Sequence, residues 1–317
     1  MLRLFKIDKG LVLDLDVPTE QQQARLIEAN WVDAHEPDER ERGLLRNLLH
    51  TNVPESGEVE EIEASARCFV DQAGVHVHSL FLVQTEGRHS TVSVACILQQ
   101  DRLITIREEE LADFRLLRMR VRRGQVKVLT PAELLVILFE QKVENHADTL
   151  EDLHRQLETV GHLVLEDPDA ELDEAINKLA RLEDSNGKIR LCLMDTQRDL
   201  SFLLRHLSNP QEHSETLREI IRDVETLMSH TTFLFDKINF LMDSTQGFIN
   251  IEQNQIIKIF SIAAVVFLPP TLVASIYGMN FTYMPELKWL LGYPWALGLM
   301  LLSGVAPYWY FKRKGWL

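Results

Sequence analysis

The sequence predicts an α/β domain followed by long helices and two C-terminal membrane-spanning helices. Three observations predict it. Residues 1–255 carry 28 basic and 47 acidic side chains, a net charge of −19, whereas residues 256–317 carry five basic and one acidic, a net of +4. Two stretches of that second part, 259–277 and 289–311, contain no charged residue over 19 and 23 positions. The first part alternates strand-like with helix-like patterns. The two parts are composed for different solvents.

The opening MLRLFKIDKGLVLDLDVP lacks the apolar core of a signal peptide and mixes charged with apolar residues as a first strand does. Further strand-like runs are LVLDLDV, NWVDAH, GVHVHSLFLV, STVSVACIL and RLITIR, with helical stretches such as PDERERGLLRNLLH between them. Residues 1–129 therefore read as the α/β domain. Thr130-Pro131-Ala132-Glu133 marks a helix start: a capping Thr, Pro at the first position and Glu three after the cap. Helical patterning runs to Asp167, resumes over 169–208 after Pro168, and breaks at Asn209-Pro210, so 130–208 form a helical hairpin. From about Glu212 to Tyr277 the only strong breakers are Gly247 and Pro269-Pro270, so one helix on the order of 100 Å long is expected, bent or loosened where two backbone donors are missing.

The first part of that helix, 209–258, precedes the membrane. A helix needs about 20 apolar residues to cross a bilayer core, and both uncharged stretches qualify. Trp289, Tyr293 and Trp295 at one end of the second, and Tyr308, Trp309, Tyr310 and Phe311 at the other, have the composition of an interfacial belt. Lys258 precedes the first span and Lys312, Arg313 and Lys314 follow the second, while the connecting loop 278–288 holds only Lys288 against Glu286. Both termini, including the basic tail 312–317, are expected on the cytoplasmic side and the loop outside.

Stepping along the long helix by alternating fours and threes meets Asp243, Gly247, Asn250, Asn254, Ile257, Ser261, Ala264, Leu268, Thr271, Ser275 and Gly278. A 3.5-residue repeat is the seam of a bundle of parallel helices, and here it is mostly small or polar. The other faces carry Ile256, Ile259, Ile262, Ala263, Val266, Phe267, Leu272 and Val273, suited to lipid and neighbouring helices. Two explanations compete: a tight helix–helix contact, where small residues let backbones approach, and a pore-lining face shared by several copies. Asp243, Asn250 and Asn254, leading into the stripe, favour the second. One chain supplies one such stripe, so a pore requires a cyclic oligomer.

The stripe ends at Tyr277-Gly278-Met279-Asn280. In an oligomer, Gly278 permits an unusual backbone angle and close approach, and Asn280 presents a ring of neutral amide oxygens. Mg²⁺ dehydrates reluctantly, so such a ring suits its bound waters. Met279 is a poor ligand for a hard ion and is assigned to packing. YGMNF, the following MPELKW, the preceding FLPPTLVAS, the two spans, the KRKGWL ending, and IEASAR, RLCLMDTQR and FINIEQNQIIKIF together resemble the CorA family of bacterial magnesium channels over the whole chain.

That resemblance implies a homopentamer in the inner membrane, with a cytoplasmic α/β domain, a funnel of long helices and two membrane helices, the first lining the pore. It implies a selectivity filter at Gly278, Met279 and Asn280, supported by Tyr277, and a polar ring at Thr271. Leu268 and Ile257 would be apolar constrictions, where some relatives carry Met. Asn254 would be a polar ring and Asp243 an acidic ring deeper in. It also implies closure by cytoplasmic Mg²⁺ held between acidic faces of neighbouring subunits, with Glu219 and Asp223 as candidates. Co²⁺ and Ni²⁺ are expected secondary ions. A zinc transporter of the same superfamily, disfavoured by Met279, and a non-conducting membrane-anchored scaffold or sensor, disfavoured by the polar stripe, are the alternatives.

Other signals are weaker. His76 and His78 share one strand face with no third metal ligand evident, so local satisfaction is expected. Arg115, Arg118, Arg120, Arg122 and Arg123 are expected to pair with carboxylates of the same or a neighbouring subunit. Cys68, Cys96 and Cys192 are far apart and read as buried reduced thiols. The acidic bulk disfavours nucleic acid and suits cations. No Walker A, GxSxG, HExxH or paired-cysteine zinc pattern occurs, so the chain does not read as an enzyme.

Overall fold

The computed structural model of the chain describes residues 1–15, 22–49, 67–85, 87–167, 170–207, 210–280 and 284–315. Several features singled out above lie outside them: residues 62–66 of IEASAR, 281–283 of the outer loop, Pro168, Asn209, and the final Trp316 and Leu317. Two units divide the chain, Met1–Met242 and Asp243–Leu317.

The first unit is built on a seven-stranded sheet: β1 (Leu2–Asp8), β2 (Leu11–Asp14), β3 (Trp31–His35), β4 (Cys68–Val70), β5 (Val75–Thr85), β6 (Arg88–Leu98) and β7 (Leu103–Arg107). Its spatial order is β2-β1-β3-β7-β6-β5-β4, with β3 and β7 parallel and every other pair antiparallel. β1 and β2 are joined through Lys9 and Gly10, both at positive φ, the two-residue turn that matches strand twist. Gly74 enters β5 at φ +141°, where an added Cβ would lie 2.3 Å from the Leu98 carbonyl oxygen, so only glycine fits.

Helices cover both faces. α1 (Gln22–Glu28) and α2 (Glu39–Leu49) bury Leu26, Leu45 and Leu49 with Val32, Ile97 and Ile104. The opposite face packs against α3 (Ala112–Arg122), α4 (Pro131–Glu166), α5 (Leu172–His206) and the first part of α6 (Pro210–Tyr277), around Val77, Phe81, Phe114, Phe139 and Leu193. The two sheet faces have separate cores because strand side chains alternate.

α4 begins as its sequence dictates. The Glu133 amide donates to Thr130 Oγ1 at 3.2 Å, Glu133 Oε2 accepts from the Leu129 amide at 2.7 Å, and Pro131 occupies the first turn. α3, by contrast, is hidden in the sequence behind its arginines. It buries Phe114, Leu117 and Val121, an i, i+3, i+7 face.

Two polar hubs tie these layers together. Asp33, fully buried in β3, accepts from Arg107 Nη2 and Arg118 Nη1 at 2.9 Å each, and from Thr105 Oγ1 at 3.1 Å. Thr105 Oγ1 in turn accepts from Trp31 Nε1 at 3.2 Å. Glu110 joins the same guanidinium groups. Its partial burial works to raise its pKa, but the bonds and charges of Arg118 and Arg107 prevail and hold it down to about 2. In the second hub, buried Lys142 donates to Ser79 Oγ at 2.7 Å and lies 4.5 Å from the Phe81 ring centroid, while Ser79 donates to Asp199. Burial and then the neighbouring Asp195 push Asp199 up to about 7.

The three cysteines are free, and burial first of all pushes Cys96 and Cys192 up to about 12 and about 11, leaving inert thiols. The histidine pair divides. His76 Nε2 sits 2.9 Å from Asp71, while buried His78 has no hydrogen-bond partner on either ring nitrogen among the described residues. Burial, then His76 and Arg67, lowers His78 to about 4, so it is neutral at physiological pH. Among the described residues, no group of three or more His, Cys, Asp or Glu is arranged to hold a metal.

Candidate ion pathway

The second unit contains the C-terminal part of α6, a 3-10 turn at Pro285–Lys288, and α7 (Gly292–Arg313). Within His213–Tyr277, α6 carries a segment long and apolar enough to cross a bilayer, and none of its most apolar window is buried. Among the described residues it is the one helix that meets this measure. α7 has the length, but its Trp, Tyr and Pro residues dilute its apolar content. α7 also starts at Gly292 rather than at Trp289. Pro294 favours the first turn of a helix, and Gly292 is held against the preceding 3-10 turn, where an added Cβ would lie 2.3 Å from the Glu286 carbonyl oxygen.

α6 continues through Pro269 and Pro270. Each proline leaves the carbonyl four residues earlier without its helical donor, so Val265 and Val266 are the acceptors affected. Gly304 of α7 faces this point: an added Cβ would lie 3.2 Å from Pro270 Cγ and 3.5 Å from the Val266 carbonyl oxygen. Thr271 Oγ1 donates to the Phe267 carbonyl at 2.7 Å.

The approach of Gly304 defines one face of α6. Along it, Ile262 is buried and Ala263, Val266, Pro269, Pro270, Val273 and Tyr277 are half-buried. The small and polar stripe lies elsewhere. Asp243, Gly247, Asn250, Asn254, Ile257, Ser261, Ala264, Leu268, Thr271, Ser275 and Gly278 are all exposed in the single chain. So are Ile256, Ile259, Phe267 and Leu272, from the apolar faces.

At the outer end the Gly278 amide donates to the Ala274 carbonyl at 2.9 Å and the Met279 amide to Ile276 at 3.3 Å, closing the helix. Gly278 is not in the left-handed region, so the expected unusual backbone angle is absent; the last turn of α6 simply continues through it. A Cβ there would be 3.2 Å from the Ala274 carbonyl oxygen of the preceding turn, a contact within one helix. Met279, Asn280 and Glu286 are exposed. The last carbonyls of a helix carry the negative end of its dipole, so this terminus attracts cations.

Glu219 and Asp223 lie exposed on α6 in the first unit. They contribute to an acidic face with Glu140 and Glu144 of α4. There Glu140 is raised by burial first and Glu144 next, with Arg120 opposing and Asp223 and Glu219 adding to the rise. Glu140 and Glu144 went unnoticed in the sequence because nothing there sets α4 beside α6. The arginines pair within the chain as expected at three positions: Arg118 with Asp33 and Glu110, Arg120 with Glu144, and Arg122 with Asp14.

The profile of the CorA-like Mg²⁺ transporter protein family matches residues 28–313. The magnesium transport protein CorA of Salmonella typhimurium is 50% identical over 319 aligned positions, covering 100% of both chains, and that of Escherichia coli K12 is 49% identical with the same coverage. Among solved structures, the complete CorA magnesium transporter of Methanocaldococcus jannaschii superposes with a TM-score of 0.78 at 19% identity, covering 100% of this chain and 99% of that one. The cytoplasmic domain of ZntB from Vibrio parahaemolyticus superposes with a TM-score of 0.54 at 12% identity, over 78% of this chain and 97% of its own. Full-length identity at this level, with a family match spanning almost the entire sequence, makes the chain a member of the CorA family of Mg²⁺ transporters.

Proposed function

We propose that the chain forms a homopentameric channel of the bacterial inner membrane that admits Mg²⁺ passively, with both termini in the cytoplasm and both C-terminal helices spanning the bilayer. The observation that carries the proposal is the exposed stripe from Asp243 to Gly278, which the α7-facing side of α6 leaves uncovered. Polar atoms in a membrane face a bundle interior or water. Five such stripes around an axis supply both. The named function of the relatives, magnesium transport, supports the choice of ion.

In this reading Asn280, at the cation-attracting end of α6, offers neutral oxygens to the waters around Mg²⁺, and Gly278, Met279 and Tyr277 hold it in place. Neutral acceptors orient a hydrated divalent ion without binding it so tightly that exit is slow. Thr271 forms the next polar ring. Leu268 and Ile257 narrow the path as apolar rings that gate by dewetting. Ser275, Ala264, Ser261 and Gly247 keep the remaining wall small, and Asn254, Asn250 and Asp243 lead the ion inward. A divalent ion gains about 4.6 kcal/mol per 100 mV of inside-negative potential, enough to drive entry without a coupled reaction. Co²⁺ and Ni²⁺, similar in hydrated size, are secondary substrates. Cytoplasmic Mg²⁺ closes the channel by bridging acidic faces of adjacent subunits, with Glu219 and Asp223 taking part. No single chain needs a complete site for that, in keeping with the exposed positions of both residues.

The test is ion flux in liposomes holding the purified chain and a magnesium-sensitive dye. Mg²⁺ influx that is abolished by Asn280→Ala and slowed by Mg²⁺ on the cytoplasmic side is the expected result. Uptake of Zn²⁺ alone would instead indicate a zinc transporter of the superfamily, and absence of any flux a scaffold or sensor.

A further inference from the structure

The arginines around α3 do more than neutralise carboxylates. Arg3, Arg115, Arg118, Arg122 and Arg123, with Met119 among them, line one hollow of about 440 Å³ in the first unit. Arg118 is committed to Asp33 and Glu110, Arg3 reaches Glu110 at 3.5 Å and Asp33 at 3.9 Å, and Arg122 pairs with Asp14. Arg107 shares Asp33 and Glu110 from beneath. Among the described residues, no carboxylate lies within 4.0 Å of Arg115 or Arg123. Among the described residues, and counting pairs within 4.0 Å, six guanidinium groups thus share three carboxylates, a surplus of three positive charges, in a chain whose net charge is −15.

Like charges gathered this closely repel one another, and an anion in the hollow relieves the repulsion. Guanidinium stays protonated at any physiological pH, and its planar fork grips phosphate oxygens through paired N–H donors. The volume falls in the range of small-molecule sites rather than of a flat protein contact. From the charge surplus, the concave shape and the exclusively guanidinium donors, we propose that this hollow binds a triphosphate chain, free or carried by a nucleoside. Arg115 and Arg123 grip it, and Arg3, Arg118 and Arg122 supply field and donors while remaining bound to their own carboxylates. Met119, partly exposed beside them, is the one apolar surface against which a nucleoside would rest.

The experiment uses the full chain in zwitterionic nanodiscs, titrated calorimetrically with sodium triphosphate, ATP and inorganic phosphate in the presence of EDTA. It reads binding rather than flux, so its result is independent of ion conduction. One saturable triphosphate site per chain is expected, weakened by added salt. Arg115→Gln with Arg123→Gln should weaken binding about 100-fold, at about tenfold per guanidinium, without moving the thermal midpoint. Arg120→Gln, at an arginine outside the hollow, should leave affinity unchanged. Equal affinity for triphosphate and ATP assigns recognition to the phosphate chain alone; tighter ATP binding assigns the nucleoside form. The proposal is overturned if triphosphate shows no saturable binding, if inorganic phosphate binds as tightly, or if the double variant binds like the parent. It is equally overturned if the double variant changes the oligomer size while the parent binds no triphosphate, since the hollow would then receive an acidic face of another copy.

Discussion

The two units solve opposite problems with side-chain polarity. Met1–Met242 puts charge inside: Asp33, Arg107, Lys142 and Asp199 are all buried, and each is held by named partners. Asp243–Leu317 puts apolar bulk outside: Phe260, Phe267, Leu268, Leu290 and Leu301 are more than 60% exposed. The first unit meets these four charges within one chain. The second leaves that bulk uncovered in one chain, the surface that the proposed channel would turn toward lipid and further copies. The division is not absolute, since Phe233, Phe235 and Phe240 of α6 are exposed in the first unit as well.

The largest effect that tests this contrast is expected at Asp33. Asp33→Ala leaves Arg107 and Arg118 with the partly exposed Glu110 as their one shared carboxylate among the described residues, and should cost about 3–5 kcal/mol. The measurement is the thermal midpoint of the detergent-solubilised chain, and a fall of only a degree or so would mean the hub is dispensable. Acid should act next. His78 and His146 are lowered to about 4 and about 3, chiefly by burial. A group whose folded pKa lies below its ordinary value contributes stability above that ordinary value and loses it as pH falls. Each of the two should therefore take about 2–3 kcal/mol from the first unit as pH drops from 6.5 toward 4. Asp199 and Asp113, raised to about 7 and about 6 chiefly by burial, work with the opposite sign across this window, because each carboxyl takes up its proton at higher pH when folded than when unfolded. Denaturant titrations across pH in an Asp199→Asn, Asp113→Asn background remove both opposing carboxyls, and His146→Leu should flatten the acid limb there.

A smaller effect belongs to the second unit. Ser261→Leu fills the exposed stripe and should slow Mg²⁺ influx about tenfold, equivalent to about 1.4 kcal/mol, with the thermal midpoint unchanged. Ile259→Leu, on an apolar face, should leave influx as it was; equal effects at both positions would erase the distinction between faces. Smallest is Thr130→Ala, which removes the cap of α4 and should cost about 1 kcal/mol, read as a shift in the urea midpoint at constant slope.

How far the sequence exposed these features depended on distance along the chain. The alternating runs became strands and the Thr130–Glu133 box became a capped helix, because each signal lies within a few residues. The 3.5-residue stripe was legible for the same reason. The hub was not: Asp33, Arg107 and Arg118 meet only once β3 pairs with β7 and α3 packs over them. A lone Asp inside the apolar run NWVDAH was the available hint. α3 was obscured because its arginines outweighed the Phe114, Leu117 and Val121 spacing. At Gly278 the step from missing side chain to unusual angle did not hold, because the backbone there keeps the hydrogen bond of an ordinary last helical turn.

The bond from Thr271 to the Phe267 carbonyl has a consequence for what that position can offer. The hydroxyl proton is spent on the helix, so both oxygen lone pairs are left pointing away from it. Such an oxygen is a pure electron donor. In the proposed channel it would take hydrogen from a water in a magnesium ion's shell, yet would have no proton with which to coax an anion such as chloride, and so would sort charge by sign without bearing any itself.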